Sequence, residues 1–447
     1  EDLIFEVDSS VLKAQTVVAY EDLFYKNIDL ATHADINDEG QSIHYPKIGT
    51  SARDAKTGTH FGTLGDEVEI IDTVTYKNLI PKQTYTIRGE LYDKDTKSVL
   101  SEPAKAEITF TPDEADGSVE LKFTLDTEDL EGRTLVAFEE LVHKNVIVTE
   151  HKDIEDEEQT IHIPKVRTKA LDENSGNHVG TAMENSRFVD TVSYYNLIPG
   201  LTYRISGILM DKDKEKAIRI GGKKVITDME FVPEKANGIV EMAFDVNGLE
   251  LSGCSVVVYE QIFYEGKQIA GHEDLDDEKQ SLYYPWMKTL AHFDGKKTIE
   301  PEGTVDLTDV VTYKNLIRGK HYRIEGVLMD KNTGKILYDA NGKPYVSKKS
   351  FIPLHKNGKA EMKFTIDASQ LEDKEIVVFE TMYSGYAPVL NHADINDRAQ
   401  TVKIKDKPSP KTGDPFNAFP IVIALSGIVI GGVILSEAKN LKRRKTK

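Results

Sequence analysis

The sequence predicts an all-β protein of tandem immunoglobulin-like β-sandwiches followed by one C-terminal transmembrane helix. Three observations predict it. A His-x-Asp-x-x-Asp-x-x-Gln pattern recurs at His33–Gln41, His151–Gln159, His272–Gln280 and His392–Gln400, with the histidines 118, 121 and 120 residues apart. Between these marks run short stretches in which apolar and polar residues alternate, such as Val119–Leu125 and Thr84–Leu91. Residues 416–435 carry no charge over 20 positions, long enough to cross a bilayer.

Size and composition bound what these features can mean. A chain of 447 residues exceeds what one hydrophobic core serves. The 56 Lys and Arg against 75 Asp and Glu leave a net charge of −19, which argues against nucleic acid as a partner. The sole cysteine, Cys254, forms no internal disulfide and no metal cluster by itself. An extracellular chain of this kind needs reinforcement from some other chemistry.

Taken in order, residues 1–46 read as the second half of a repeat. They hold Glu21, His33 and Gln41 but lack the threonine segment that opens the later units. The first half is expected upstream of residue 1, and the missing leader says nothing about location. Three full units follow at 47–165, 166–286 and 287–405. Each opens with an apolar-x-Thr-x-Ala segment, around Thr50, Thr168 and Thr289. An Asp-x-Val-x-Tyr-x-Asn-Leu-Ile segment then begins at Asp72, Asp190 and Asp309, and reads as a strand entering a tight turn. Twelve residues before each His, an apolar run ends in Glu139, Glu260 or Glu380. Turn signals such as Pro199-Gly200, Asn237-Gly238 and Asn341-Gly342 separate the runs. About seven short strands per unit with such spacing predict an antiparallel sandwich.

The unit also suggests a chemistry. Thr50 and Gln159 lie 109 residues apart, Thr168 and Gln280 112, and Thr289 and Gln400 111. First and last strands of a sandwich can be neighbours, so these pairs can meet. A threonine hydroxyl facing a glutamine amide carbon is an acyl-transfer pair, whose product is an ester and ammonia. His151, His272 or His392 is the base suited to take the hydroxyl proton near neutral pH. Asp72, Asp190 or Asp309 is expected to orient that imidazole, as in a hydrolase triad. A buried Glu139, Glu260 or Glu380 has its pKa raised, so that the neutral acid can donate to the oxygen gaining charge.

Taken singly, each residue has a plainer reading: a surface glutamine, a solvated histidine turn, an acid ending a strand. Recurrence of all five types in one order across three units favours the reactive reading. A calcium loop is not expected, because Gly40 becomes Glu158, Lys279 and Ala399 and no acid recurs at the twelfth position. Asp153 and Asp156 are expected to shape the loop that aims His151 and Gln159. No metal and no cofactor is called for.

The Val-Ala-Phe-Glu139 run and the Thr…Asp…Glu…His…Gln series resemble the VaFE-repeat, or T-Q ester-bond, domains of Gram-positive adhesins, over about residues 1–405. The resemblance implies a prealbumin- or Cna-B-like sandwich with an autocatalytic Thr–Gln ester between its terminal strands. It implies bonds Thr50–Gln159, Thr168–Gln280 and Thr289–Gln400, with Asp, Glu and His helpers as named above. Gln41, whose half-unit lacks the threonine segment, is expected to keep its amide.

The end of the chain has its own signature. Residues 406–415 form a polar linker containing Ser409-Pro410-Lys411-Thr412-Gly413, residues 416–435 the apolar span, and residues 436–447 a basic tail oriented to the cytoplasm. Together these resemble a sortase (LPxTG-like) cell-wall sorting signal, with Ser409 where the first Leu is usual. The resemblance implies cleavage after Thr412 and its transfer to peptidoglycan, with sortase as partner. The function expected is then a wall-anchored adhesin stalk, extracellular, its ligand bound by a domain upstream. Tyr45-Pro46-Lys47 resembles part of a pilin motif and keeps a pilus subunit as the alternative. A turnover enzyme is not expected from three separate copies, nor Lys–Asn isopeptide bonds, since no Asn recurs where the Gln does.

Overall fold

The computed structural model describes residues 2–100 and 104–407. The sorting motif at Ser409–Gly413, the span 416–435 and the basic tail 436–447 lie outside the described residues. Among the described residues no helix is long and apolar enough to cross a membrane.

The first full repeat is built from two antiparallel sheets. One has three strands in the order Gly117–Leu125, Val68–Lys77, Lys47–Asp54. The other runs Val146–His151, Thr134–His143, Tyr85–Asp93, Ser98–Val99, with Thr160–His162 added beside Thr134–His143 and Lys105–Phe110 beside Tyr85–Asp93. The second repeat reproduces both sheets, from Lys165–Asp172 to Ser281–Tyr283. So does the third, from Trp286–His292 to Thr401–Ile404, with Thr298–Ile299 added as a parallel edge against the last strand.

The two-residue alternation explains which side chains face inward. Along Val68–Lys77, Val68, Ile70, Asp72, Val74 and Tyr76 are buried. Along Thr134–His143, Leu135, Ala137, Glu139 and Leu141 take the core side. Asp72 and Glu139 are therefore core residues by register, set among Ile48, Ile70, Val74, Leu121 and Phe123. Gly89 stands opposite Glu139 in the ladder, and a Cβ there would collide with Leu121 and Phe123. Gly207 and Gly326 repeat this arrangement opposite Glu260 and Glu380, against Phe244 and Phe364.

The hairpin that carries each histidine turns through residues with positive φ, Lys144 (46°) and Asn145 (65°) in the first repeat. A bulge between Leu141 and Val142 follows, and the register then sets Glu139 directly across from His151. The same pairing joins Glu260 to His272, Glu380 to His392 and, in residues 1–46, Glu21 to His33.

Candidate functional site

Each full repeat brings its Thr, Asp, Glu and Gln into one buried cluster between the two sheets. Threonine comes from the edge strand of the three-stranded sheet. Aspartate comes from the adjacent central strand, where Asp72 pairs with Ala52, Asp190 with Ala170 and Asp309 with Ala291. Glutamate comes from the facing sheet. The glutamine sits where the loop after the His hairpin returns into the last strand. Asp72, Glu139, Gln159, Asp190, Glu260, Gln280, Asp309 and Gln400 are wholly buried, and Thr168, Thr289 and Glu380 nearly so.

The amide nitrogen of the glutamine is held by the glutamate. Gln159 Nε2 donates to Glu139 Oε2 at 2.5 Å, and Gln280 and Gln400 donate to Glu260 and Glu380 in the same way. The glutamate thus sits on the amide nitrogen in the resting cluster. In the second repeat Gln280 Nε2 also touches Thr168 Oγ1, closing a separation of 112 residues. In the first, Thr50 Oγ1 is buried beside Glu139.

The aspartate faces the glutamate carboxyl to carboxyl. Two buried carboxylates cannot both be ionised at contact distance, so a proton joins them. Burial is the main force raising Glu139 and Glu260, and the charge of Asp72 or Asp190 adds to it. Burial likewise pushes Asp72 and Asp190 up to about 6. In the third repeat burial, and then the charge of Glu380, drives Asp309 to about 9, while burial drives Glu380 to about 8. In each cluster burial and the facing carboxyl thus both favour the neutral form of the acid.

The imidazole is oriented by a different acid from the one the triad analogy picks. His151 Nε2 lies 2.9 Å from Asp156 Oδ2, His272 Nε2 2.9 Å from Asp277 and His392 Nε2 3.4 Å from Asp397. Asp72 cannot take that role, because it projects from the opposite sheet and spends its carboxyl on Glu139. Asp156 is fixed in turn: its Oδ1 accepts the Glu158 amide, and its carbonyl accepts Thr160 Oγ1. Asp153 shapes the same loop by accepting the Glu155 amide. The sequence marks Asp156 by a fixed five-residue offset from the histidine, repeated at Asp277 and Asp397. In the third repeat the other ring nitrogen, His392 Nδ1, stands 3.4 Å from Thr289 Oγ1 and 3.4 Å from Glu380 Oε2. An Asp–His–Thr relay is laid out there.

Residues 1–46 keep half of this geometry. His33 Nε2 lies 2.7 Å from Asp38, and Gln41 donates to Glu21. Their hairpin is exposed, with Leu23 62%, Phe24 59% and Ile28 63% accessible. Among the described residues no group of three or more His, Cys, Asp or Glu is arranged to hold a metal ion.

Four consecutive stretches, 1–45, 46–163, 164–284 and 285–404, match the model of the family described as T-Q ester bond containing domain. No curated protein matches. Among solved structures, a bacterial adhesin from Mobiluncus mulieris with intramolecular disulfide, isopeptide and ester bond cross-links is 16% identical. It covers 55% of this chain and 87% of its own, at a TM-score of 0.24. A second crystal form of it is 15% identical over 56% and 90%, at 0.23. A DUF4785 family protein from Legionella pneumophila is 12% identical over 90% and 97%, at 0.20. At these TM-scores the structural matches carry no argument; the family model does.

Proposed function

Because the chain belongs to the T-Q ester bond domain family, we propose that each full repeat joins its first strand to its last by an ester it makes itself. The reactive pairs are Thr50–Gln159, Thr168–Gln280 and Thr289–Gln400. The observation that carries this is the contact of Thr168 Oγ1 with the Gln280 amide inside a buried cluster, where burial raises the Glu260 carboxyl.

The histidine takes the proton of the threonine Oγ1, and Oγ1 bonds to the glutamine Cδ. The Cδ–Nε2 bond then breaks, and the nitrogen leaves as ammonia with a proton from the neutral glutamate that already touches it. Asp156, Asp277 or Asp397 stabilises the imidazolium while it is charged. Burial keeps water from competing, and each repeat turns over once.

The product closes a loop of about 110 residues. If a disulfide is a fair guide, that restricts the unfolded chain by about 4.7 kcal/mol. Its mechanical effect is greater, since tension on a repeat runs through the covalent bond and bypasses the sheets. Such repeats in series suit the stalk of a surface adhesin that holds a ligand-binding domain away from the cell. Attachment to peptidoglycan by sortase at Thr412, with loss of the span 416–435, is part of the same proposal and rests on the sequence motif.

The test is the intact mass of the full chain. Three ammonia molecules should be missing, and Thr50→Ala, Thr168→Ala and Thr289→Ala should each restore one. An unshifted mass from folded protein would refute the proposal.

A further inference from the structure

The Asp-x-Val-x-Tyr-x-Asn-Leu-Ile segment has a second function, separate from the ester chemistry of its aspartate. Its asparagine ends the strand in the left-handed region, with φ of 57° at Asn78, 61° at Asn196 and 60° at Asn315. That conformation turns the carboxamide out of its own sandwich and onto the preceding repeat. Asn196 Nδ2 donates to the carbonyls of Arg133 (2.6 Å) and Ile163 (3.3 Å), while its Oδ1 accepts from Thr134 Oγ1 (2.9 Å) and His162 Nδ1 (3.1 Å).

The same bonds recur at the other two junctions. Asn315 Nδ2 donates to the carbonyls of Cys254 (2.6 Å) and Tyr284 (3.0 Å), and its Oδ1 accepts from Ser255 Oγ (2.9 Å). Asn78 Nδ2 donates to Gln15 (2.7 Å) and Tyr45 (3.3 Å), and its Oδ1 accepts from Thr16 Oγ1 (2.9 Å). The acceptor carbonyls of Asn196 and Asn315 lie at the entry to the Glu-bearing strand and just past the closing strand, and those of Asn78 lie six residues before Glu21 and at the end of the strand Ser42–Tyr45. The asparagine backbone is anchored within its own repeat, where Asp116, Asn237 and Asn357 each accept its N–H.

A loop from the preceding repeat completes the joint. In the first repeat Asp54 accepts the amides of Lys56, Thr57 and Thr63, and so shapes a loop that carries Phe61 across the junction. Phe61 is 1% exposed and packs edge-on against Tyr203 and Tyr264 of the second repeat. In the second repeat Asp172 shapes the matching loop, whose Ala182 amide and Asn174 side chain bond Val389 and Pro388 of the third. The third repeat has Phe293 in place of that aspartate, and its loop folds back as Thr298–Ile299 onto its own last strand.

We propose that Asn78, Asn196 and Asn315 are repeat-to-repeat couplers: each seats its sandwich on the closing strands of the preceding sandwich, so that motion and unfolding pass through a fixed joint. The partner surface is that of a like repeat, two carbonyls and a Thr or Ser hydroxyl at fixed spacing. Coupling of this kind is independent of ester formation.

Native-state hydrogen exchange of the full chain tests it, comparing Asn196→Gly, Thr134→Val and the double variant. Glycine holds the positive φ and the bond to Asn237, so the turn should persist. Exchange should quicken about tenfold in residues 131–134 and 163–166, the first repeat's face of the junction and the link to the second, with the ammonia losses unchanged. Thr134→Val, on the other repeat, should act at the same place, and the double variant should fall short of the summed effects. Unchanged exchange at the junction in both single variants would overturn the proposal. So would loss of protection spread through Ser186–Tyr195 and Gly238–Val246, which would make Asn196 a fold residue of its own repeat.

Discussion

Replacing Thr168 by Val removes the hydroxyl that reacts while keeping the β-branched shape. Gln280 then keeps its amide, and the 112-residue loop between the two positions stays open. A loop near 100 residues is worth about 4.7 kcal/mol in the chain-entropy estimate. Unfolding entropy of about 2.1 cal/mol/K per residue gives about 250 cal/mol/K for a repeat the size of residues 164–284. The quotient is a fall of about 19 °C in the transition of that repeat. Calorimetry of the full chain measures it, with intact mass on the same sample confirming that one ammonia is retained. A variant that retains no additional ammonia, or whose second-repeat transition moves by less than about 3 °C, would refute the reasoning.

Further outcomes follow from the same geometry. Glu260→Gln removes the carboxyl that accepts from Gln280 Nε2 and is proposed to protonate it as it leaves, and should slow cross-linking of the second repeat by about 10²–10⁴-fold, read as the mass of freshly folded chain over time. Asp277→Asn should slow the same bond by leaving His272 without its acid, and the other two bonds should form normally. The third repeat held open by Thr289→Val should lose stability as pH rises. Its folded carboxyls titrate at about 9 and about 8, above their ordinary values of 3.8 and 4.5. Between those limits the folded state binds more protons than the unfolded chain, so the melting temperature should fall steadily from pH 5 to pH 9. A rise over that range would contradict the neutral-acid assignment. In a chain that begins at Glu1, peptide mass mapping should find Gln41 with its amide intact, since residues 1–46 lack the threonine segment.

Several features of this site were legible in the sequence for physical reasons. Period-two alternation puts Asp72 in line with Val68, Ile70, Val74 and Tyr76, and Glu139 in line with Leu135, Ala137 and Leu141. Burial of both acids follows from that period. Their mutual contact does not, because it depends on how two sheets face each other, which no local pattern encodes. The analogy with a triad misdirected Asp72 toward the histidine; Asp156 takes that position from five residues away in the same loop. Asn78, Asn196 and Asn315 read as plain turn residues because the six groups their Nδ2 atoms bind are backbone carbonyls, which carry no side-chain signature. What marks them is a left-handed φ and a neighbour in another repeat, both visible only in three dimensions.

Peptide mapping of the second repeat addresses the central claim most directly. After tryptic digestion of the full chain, the peptide Gln280–Lys288 should appear joined to the peptide Thr168–Lys169, one ammonia lighter than the two together. Mild alkali should separate them, leaving Thr168 intact and a glutamate where Gln280 stood. Recovery of free Gln280–Lys288 with its amide, from chain shown to be folded, would contradict the account.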